Sequence, residues 1–103
     1  NNQNEIEEPK NIPYEWNDVK DFKKDIFLTE SGFMPNELRV KVGSEVTWTN
    51  EDDKAHIIQT KDDLFASDSL EKGDSVTFTF DKPGTYEFFL VNKPEFTGKI
   101  IVE

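Results

Sequence analysis

The sequence predicts an all-β protein that folds as an antiparallel β-sandwich of about seven short strands. From Asp25 onward, apolar and polar residues alternate, which is the pattern of strands with one buried face. Turn-forming residues separate these stretches, with Gly43 and Gly73 in two of the breaks and Pro83-Gly84 in a third. Short strands at such spacing are typical of a sandwich, because each sheet must bury its apolar face against another.

Seven stretches carry the strand pattern. The first is the apolar run 26–28, and in the second Leu38, Val40 and Val42 alternate with basic residues. The others, in chain order, are 45–49, 57–58, 75–81, 86–90 and 100–102. Between them, only Asp62 to Leu70 could hold a helical turn.

The first twenty residues differ in composition from the rest. The polar stretch 1–10 contains a single aliphatic residue, Ile6, and a sparse apolar series that includes Tyr14 and Trp16 follows it. We therefore expect residues 1–20 to be a flexible N-terminal extension, which could add an edge strand. Residues 21–103 are expected to form one folded domain, as the length of 103 residues allows.

Composition excludes several classes of function. Lys and Arg total 12 against 22 Asp and Glu, a net charge of −10, so we expect no nucleic-acid partner and no attraction to anionic membranes. The absence of Cys excludes disulfides and thiolate chemistry. No apolar run reaches the ~20 residues that a transmembrane segment needs.

The chain has a single histidine, His56, which stands between an acidic loop and an apolar pair. A lone histidine without Cys or a second His is a poor zinc or copper site, so a structural role is the first interpretation. The acidic runs 51–53 and 62–63 lack the ligand spacing of a calcium loop and are interpreted as solvated. Nothing arranges a nucleophile with an oriented base, so we expect no enzyme and no catalytic residues.

Two parts of the chain follow the pattern of a known family. The first is the run from Phe33 to His56, with Val40-Lys41-Val42-Gly43 and Val46-Thr47-Trp48-Thr49-Asn50 inside it, and the second is 81–103, with Lys82-Pro83-Gly84-Thr85-Tyr86. Both parts resemble the cupredoxins, the family of small blue copper proteins. The nearest branch looks like plastocyanin, pseudoazurin and amicyanin, and the N-terminal extension also resembles that of amicyanin. The resemblance implies a Greek-key β-sandwich of seven or eight strands.

The resemblance also implies a copper site held by one His and by a Cys, a His and a Met from a C-terminal loop. His56 matches the first of these positions. The loop keeps its length here, but Leu90 stands at the Cys position, Lys93 at the second His and Phe96 at the Met. We therefore expect a domain without a blue copper centre, in which Leu90 and Phe96, with Phe33 and Phe89, fill the former metal end. A weak residual site at His56, helped by Met34 or Glu95, is the alternative.

These points lead to three functional hypotheses. The first is an extracytoplasmic, non-catalytic domain without a cofactor that binds a protein partner, basic or redox-related. The partner surface implied by the family comprises Met34, Pro35, Lys93, Pro94, Glu95 and Phe96. The second is a copper-binding electron-transfer protein with an atypical or ligand-stripped site, and the third is weak metal handling by His56 and carboxylates. In each case we expect a monomer that is periplasmic, secreted or lipid-anchored, and a melting temperature that His56→Ala barely changes.

Overall fold

The structure is a computed structural model that describes residues 22–103. Within that range, eight strands make up the regular secondary structure. Their bounds are β1 Lys23–Thr29, β2 Gly32–Met34, β3 Glu37–Val40, β4 Ser44–Asn50, β5 Ile58–Thr60, β6 Ser75–Phe80, β7 Gly84–Leu90 and β8 Lys93–Val102.

The strands form two four-stranded sheets packed as a β-sandwich, as predicted. The first sheet has the order β2-β1-β4-β6 and the second the order β3-β8-β7-β5. The expectation that all pairs are antiparallel was wrong, since β1 pairs with β4, and β3 with β8, in parallel. Alternation along a strand reports which face is buried and carries no information about the direction of the neighbouring strand.

Aromatic side chains dominate the core between the sheets. Strand β4 shows how alternation places one face in the core, because Val46 and Trp48 are fully buried while the residues that alternate with them are more exposed. The Trp48 ring stacks on Phe65 at 5.5 Å and meets Phe88 edge-on at 5.4 Å. These contacts tie both sheets to the segment that follows β5.

The segment from Asp62 to Leu70, the one place where the sequence allowed a helical turn, contains none. Two isolated bridges hold its second half against neighbouring backbone, one joining His56 to Leu70 and the other Gln59 to Ala66. The Thr60 hydroxyl accepts the Phe65 N–H at 3.0 Å, which closes the turn through a side chain. Local side-chain bonds of this kind replace the i→i−4 bonds that a helix would need.

The N-terminal extension proposed for residues 1–20 lies outside the described residues. Alternation in the sequence did not predict strand β2, because three residues are too few to show the pattern. The peptide bond between Met34 and Pro35, directly after β2, is cis. Among residues 22–103, no helix has the length and apolar character needed to cross a bilayer.

Candidate functional site

The candidate site is at the end of the sandwich where His56 meets the turn between β7 and β8. His56 is only 4% exposed, and its backbone forms a two-way bridge with Leu70, in which the N–H···O distances are 3.0 and 2.8 Å. The Val91 N–H donates to the carbonyl of Ile57 at 2.9 Å. The histidine therefore lies directly against the loop that resembles the ligand loop of the family.

Both ring nitrogens of His56 contact side-chain oxygens of the chain itself. Nε2 lies 2.8 Å from Oδ2 of Asp52, and Nδ1 lies 3.1 Å from Oδ1 of Asn92. The Asn92 amide nitrogen donates to the Ala55 carbonyl at 3.4 Å. This bond supports the side-chain orientation in which the Asn92 oxygen faces the His56 ring. A metal ion could reach either ring nitrogen only by displacing one of these partners.

The contact with His56 also affects the pKa of the Asp52 carboxyl. The hydrogen bond with His56 lowers the pKa of the Asp52 carboxyl, and the Asp53 backbone N–H lowers it further, while partial burial opposes the change. Interpreting the whole acidic loop as solvated was therefore wrong for Asp52. By contrast, the Asp53 side chain is 85% exposed and forms only a surface ion pair with Lys72.

Asn50 shapes the loop that carries Asp52. Its side chain is fully buried at the end of β4, where Nδ2 donates to the carbonyls of Lys54 and Leu70, both at 2.8 Å. Its Oδ1 accepts the Asp52 backbone N–H at 2.8 Å. These three hydrogen bonds of the buried Asn50 amide hold the loop in a path that returns towards His56. Their loss would leave the carbonyls without these donors.

The three positions that correspond to loop ligands have side chains unlike those of ligands. Leu90 is fully buried in the core, and Phe96 packs against that core from a half-buried position. The Lys93 ammonium lies 4.7 Å from the centre of the Phe96 ring. The pairing of β7 with β8 shifts from Phe89↔Thr97 to Leu90↔Lys93, so that residues 94–96 bulge out of the ladder.

This donor set does not fit a type 1 copper centre. Leu90 and Phe96 offer no atom that binds a metal, and the Lys93 ammonium is a positive charge engaged with a ring. Within residues 22–103, no group of three or more His, Cys, Asp or Glu side chains is placed to hold a metal ion. His56 is therefore the one family ligand position that retains a donor.

A polar groove of about 830 Å³ opens beside His56. Its lining brings together residues of the β1–β2 turn, the acidic loop and the former ligand loop: Glu30, Ser31, Asp52, Asp53, Lys54, His56, Asn92, Lys93 and Glu95. Of the predicted partner surface, Lys93 and Glu95 lie in this groove, next to the exposed Pro94. Val91, 42% exposed in the same turn, was not predicted.

Met34 and Pro35 belong to a different surface from the groove. Met34 is 61% exposed and pairs with Phe27 across β1 and β2, on the outer face of the first sheet. Pro35 follows it as an exposed residue. The predicted partner surface therefore divides into Lys93, Pro94 and Glu95 at the polar groove and Met34 and Pro35 elsewhere, where Met34 forms an apolar pair with Phe27.

Sequence reasoning missed the two side chains that contact the His56 ring. Asp52 was one of three consecutive acidic residues, and nothing in that run distinguishes it. Asn92 is thirty-six positions from His56, and only the folding of the β7–β8 turn brings it there. Asn50 carried one signal, since a polar residue at the inward-facing end of an alternating strand indicates a buried hydrogen-bonding role.

Comparisons with known proteins agree with this architecture. The family description "cupredoxin-like domain" matches residues 16–102. The chain is 29% identical over 84 residues to amicyanin-alpha from Methylorubrum extorquens, covering 77% of this chain and 71% of that protein. It is 27% identical over 100 residues to amicyanin from Paracoccus denitrificans, covering 92% and 76%.

A solved structure shows the same fold. A purple cupredoxin from Nitrosopumilus maritimus superposes with a TM-score of 0.75 at 29% identity, covering 78% of this chain and 99% of that one. Sequence match and fold thus agree over most of the chain, and the family match over residues 16–102 includes both the strand that precedes His56 and the loop that resembles the family's ligand loop. On this evidence, the chain belongs to the family of cupredoxin-like domains.

Proposed function

We propose that this protein is a cupredoxin-like domain that has lost the type 1 copper centre and acts as a non-catalytic, extracytoplasmic protein-interaction module. The observation that carries the proposal is the state of the former ligand loop. Leu90 is part of the core, Phe96 packs on that core, and Lys93 covers the Phe96 ring. Packing replaces coordination at all three positions, so the end of the sandwich is held without a metal.

The partner surface that we propose is the groove beside His56 with its rim, Val91 and Pro94. Four carboxylates and two lysines line the groove, but Asp52 is bonded to His56 and Asp53 to Lys72. Glu30 and Glu95 remain as carboxylates without an ion pair among the described residues. Together with the net charge of −10, they favour a partner with a basic contact surface.

A copper titration tests the loss of the metal centre. We expect the wild-type protein to show no intense visible absorption and no type 1 paramagnetic resonance signal on addition of Cu(II). The matched control is the triple variant L90C/K93H/F96M, which restores the family's donors on a loop of unchanged length beside His56. Intense absorption in the variant alone supports the proposal, whereas a stoichiometric type 1 signal in the wild type contradicts it.

A second candidate function is favoured by one observation, the contact between His56 and Asp52. The His56 imidazole and the Asp52 carboxylate lie 2.8 Å apart, and together they can bind a borderline metal weakly once their hydrogen bond is displaced. Calorimetric titration with Cu(II), Zn(II) and Fe(II) distinguishes this hypothesis from the first. A metal that binds the wild type and not His56→Ala would favour metal handling or an atypical electron-transfer site.

The partner surface requires its own test. A partner recovered with the full-length protein should lose its affinity for the double variant Val91→Asp/Lys93→Glu. It should bind normally to Lys23→Glu, a surface substitution at the start of β1. Equal binding to all three proteins would show that the partner uses another surface.

A further inference from the structure

Strand β6 is an edge of the first sheet, with β4 as its one neighbour among the described strands. The Asn50 N–H donates to the Asp74 carbonyl at 2.9 Å, and bonded positions alternate along an antiparallel pair. Thr47 and Thr77 face each other with their hydroxyls 2.7 Å apart, as at a non-bonded position. The backbone groups that point away from β4 therefore belong to three residues: Ser75, Thr77 and Thr79.

This edge lacks the usual protection against pairing. Natural edge strands carry charges, proline or bulges that prevent another strand from adding. The β6 sequence, Ser-Val-Thr-Phe-Thr-Phe, contains no charged residue and no proline, and its register with β4 is unbroken. Every residue after Ser75 is β-branched or aromatic, which favours strand pairing.

We propose that β6 is a dimerisation edge, and that its occupant is β6 of a second copy of this chain in antiparallel, two-fold symmetric pairing. The two four-stranded sheets would then join into one sheet of eight strands. This inference is independent of the proposed function, since no β6 residue lines the groove beside His56. It differs from the monomer expected from the sequence.

The side-chain pattern of β6 complements itself in this arrangement. Val76 and Phe78 are half-buried on the core side, whereas Thr77 and Thr79 are exposed on the outer side. If Phe78 faces Phe78 of the partner subunit, an aromatic pair covers the half-exposed rings on the core side. Thr77 then faces Thr79 of the partner subunit on the outer side, and Thr–Thr pairs of this kind are favourable.

Charges at the two ends of β6 select this register. With Phe78 at the two-fold axis, Asp74 lies opposite the partner's Lys82, and symmetry repeats the pair at the other end. A shift that places Thr77 on the axis would instead set Lys72 opposite the partner's Lys82. Neither Asp74 nor Lys82 forms an ion pair with another described residue, so both carry charges available to a partner.

The net charge of −10 on each copy opposes association. At an ionic strength of 0.15 M this repulsion is screened over about 8 Å, whereas hydrogen bonds and ion pairs at the edge act at contact distance. Pairing of a six-residue edge also buries less surface than a standard interface. We therefore expect a weak dimer, with a Kd on the order of 100 μM.

Sedimentation equilibrium between 10 μM and 1 mM of the full chain tests the dimer. We expect the double variant Thr77→Lys/Thr79→Lys to weaken it at least tenfold, because like charges then face each other across the edge. Thr49→Lys, on the same outer face but inside the sheet, is the control and should dimerise as the wild type does. A wild-type monomer at 1 mM, species larger than dimers, or equal association of the double variant would each overturn the proposal.

Amide exchange and one charge reversal test the arrangement. The Thr77 and Thr79 amides should exchange more slowly in the dimer, and slow exchange in a monomer would mean that something else covers the edge. Lys82→Glu should weaken the dimer roughly tenfold more than Lys23→Glu, which changes the net charge equally. If Lys82→Glu strengthens the dimer or has no greater effect than its control, the proposed register is wrong.

Discussion

His56 is held by two side chains from different parts of the chain, and this explains how a polar ring is accommodated at the end of an apolar core. The ring is buried, and Asp52 and Asn92 occupy its two nitrogens. Unpaired polar groups in such a position would destabilise the fold. The cluster of His56, Asp52 and Asn92 therefore contributes to stability through its own contacts.

Replacing His56 by Ala should lower the free energy of unfolding by about 1–3 kcal/mol, because a buried ring is lost and two partners are left unpaired. This revises the small effect expected from the sequence. The decrease in melting temperature should be the same with and without one equivalent of Cu(II), measured by circular dichroism. A copper-dependent increase confined to the wild type would argue for a metal at His56.

The lowered pKa of Asp52 predicts a pH dependence of stability. A carboxyl whose pKa is lowered in the native state stabilises the fold at pH values above its ordinary pKa of about 3.8, and this contribution disappears as the pH falls through the native pKa. Asp52→Asn should therefore be less stable than the wild type at pH 7, and the difference should shrink below about pH 4. Urea denaturation from pH 7 to pH 3 measures both proteins, and a difference independent of pH would contradict the assignment.

Where β8 pairs with β7, Gly98 lies in close contact with its neighbours. Gly98 pairs with Phe88 across the two strands, and a Cβ atom at this position would meet the Phe88 ring and lie 2.7 Å from the Asn36 carbonyl oxygen. The Lys99 N–H donates to the same carbonyl at 2.8 Å, which fixes the approach of this backbone. A side chain larger than hydrogen has no space here.

Gly98→Ala should therefore destabilise the protein by about 1–3 kcal/mol, as overpacking does in a close-packed core. Chemical denaturation followed by tryptophan fluorescence gives the value. The control is Thr97→Ala at the neighbouring exposed position, which should change stability by less than about 0.5 kcal/mol. Equal stability of Gly98→Ala and the wild type would mean that β8 can move away from Asn36.

At the scale of the whole molecule, stability comes from the aromatic core more than from ion pairs. The ion pairs outside the His56 cluster lie on the surface, as in Arg39–Glu103 and Lys61–Glu87, where all four side chains are at least half exposed. Exposed pairs of this kind contribute little. Because the chain has 22 acidic and only 12 basic residues, its carboxylates repel one another in the folded state.

Added salt should therefore stabilise the fold. Raising NaCl from 0.02 to 0.5 M screens the repulsion among carboxylates, so the melting temperature should rise by a few degrees. The measurement is made at about 5 μM, well below the expected dimer constant, so that association does not contribute. A decrease with salt would mean that specific ion pairs outweigh the net charge.

Most of the strands could be located from the sequence, and so could the lack of metal-binding atoms in the loop that resembles the family's ligand loop. Alternation marks buried faces, so β4, β6 and β7 could be located from residues such as Trp48 and Phe88. Leu90 and Phe96 likewise lack atoms that bind a metal, and no fold can change this. The parallel pairs β1/β4 and β3/β8 could not be derived from it, because alternation is the same in either direction.

Only the assembled fold shows what surrounds His56 and which strands lie at the edges of the two sheets among residues 22–103. Asp52 is four residues from His56 and is placed by the loop that Asn50 folds, whereas Asn92 is thirty-six residues away and reaches the ring only because the chain returns through β7. Among the described strands, the same packing places β6 at one edge of the first sheet, with the backbone groups of its threonines pointing away from β4. A sequence records which groups a residue carries, but the partners of those groups depend on distances that exist only after the sheets have assembled.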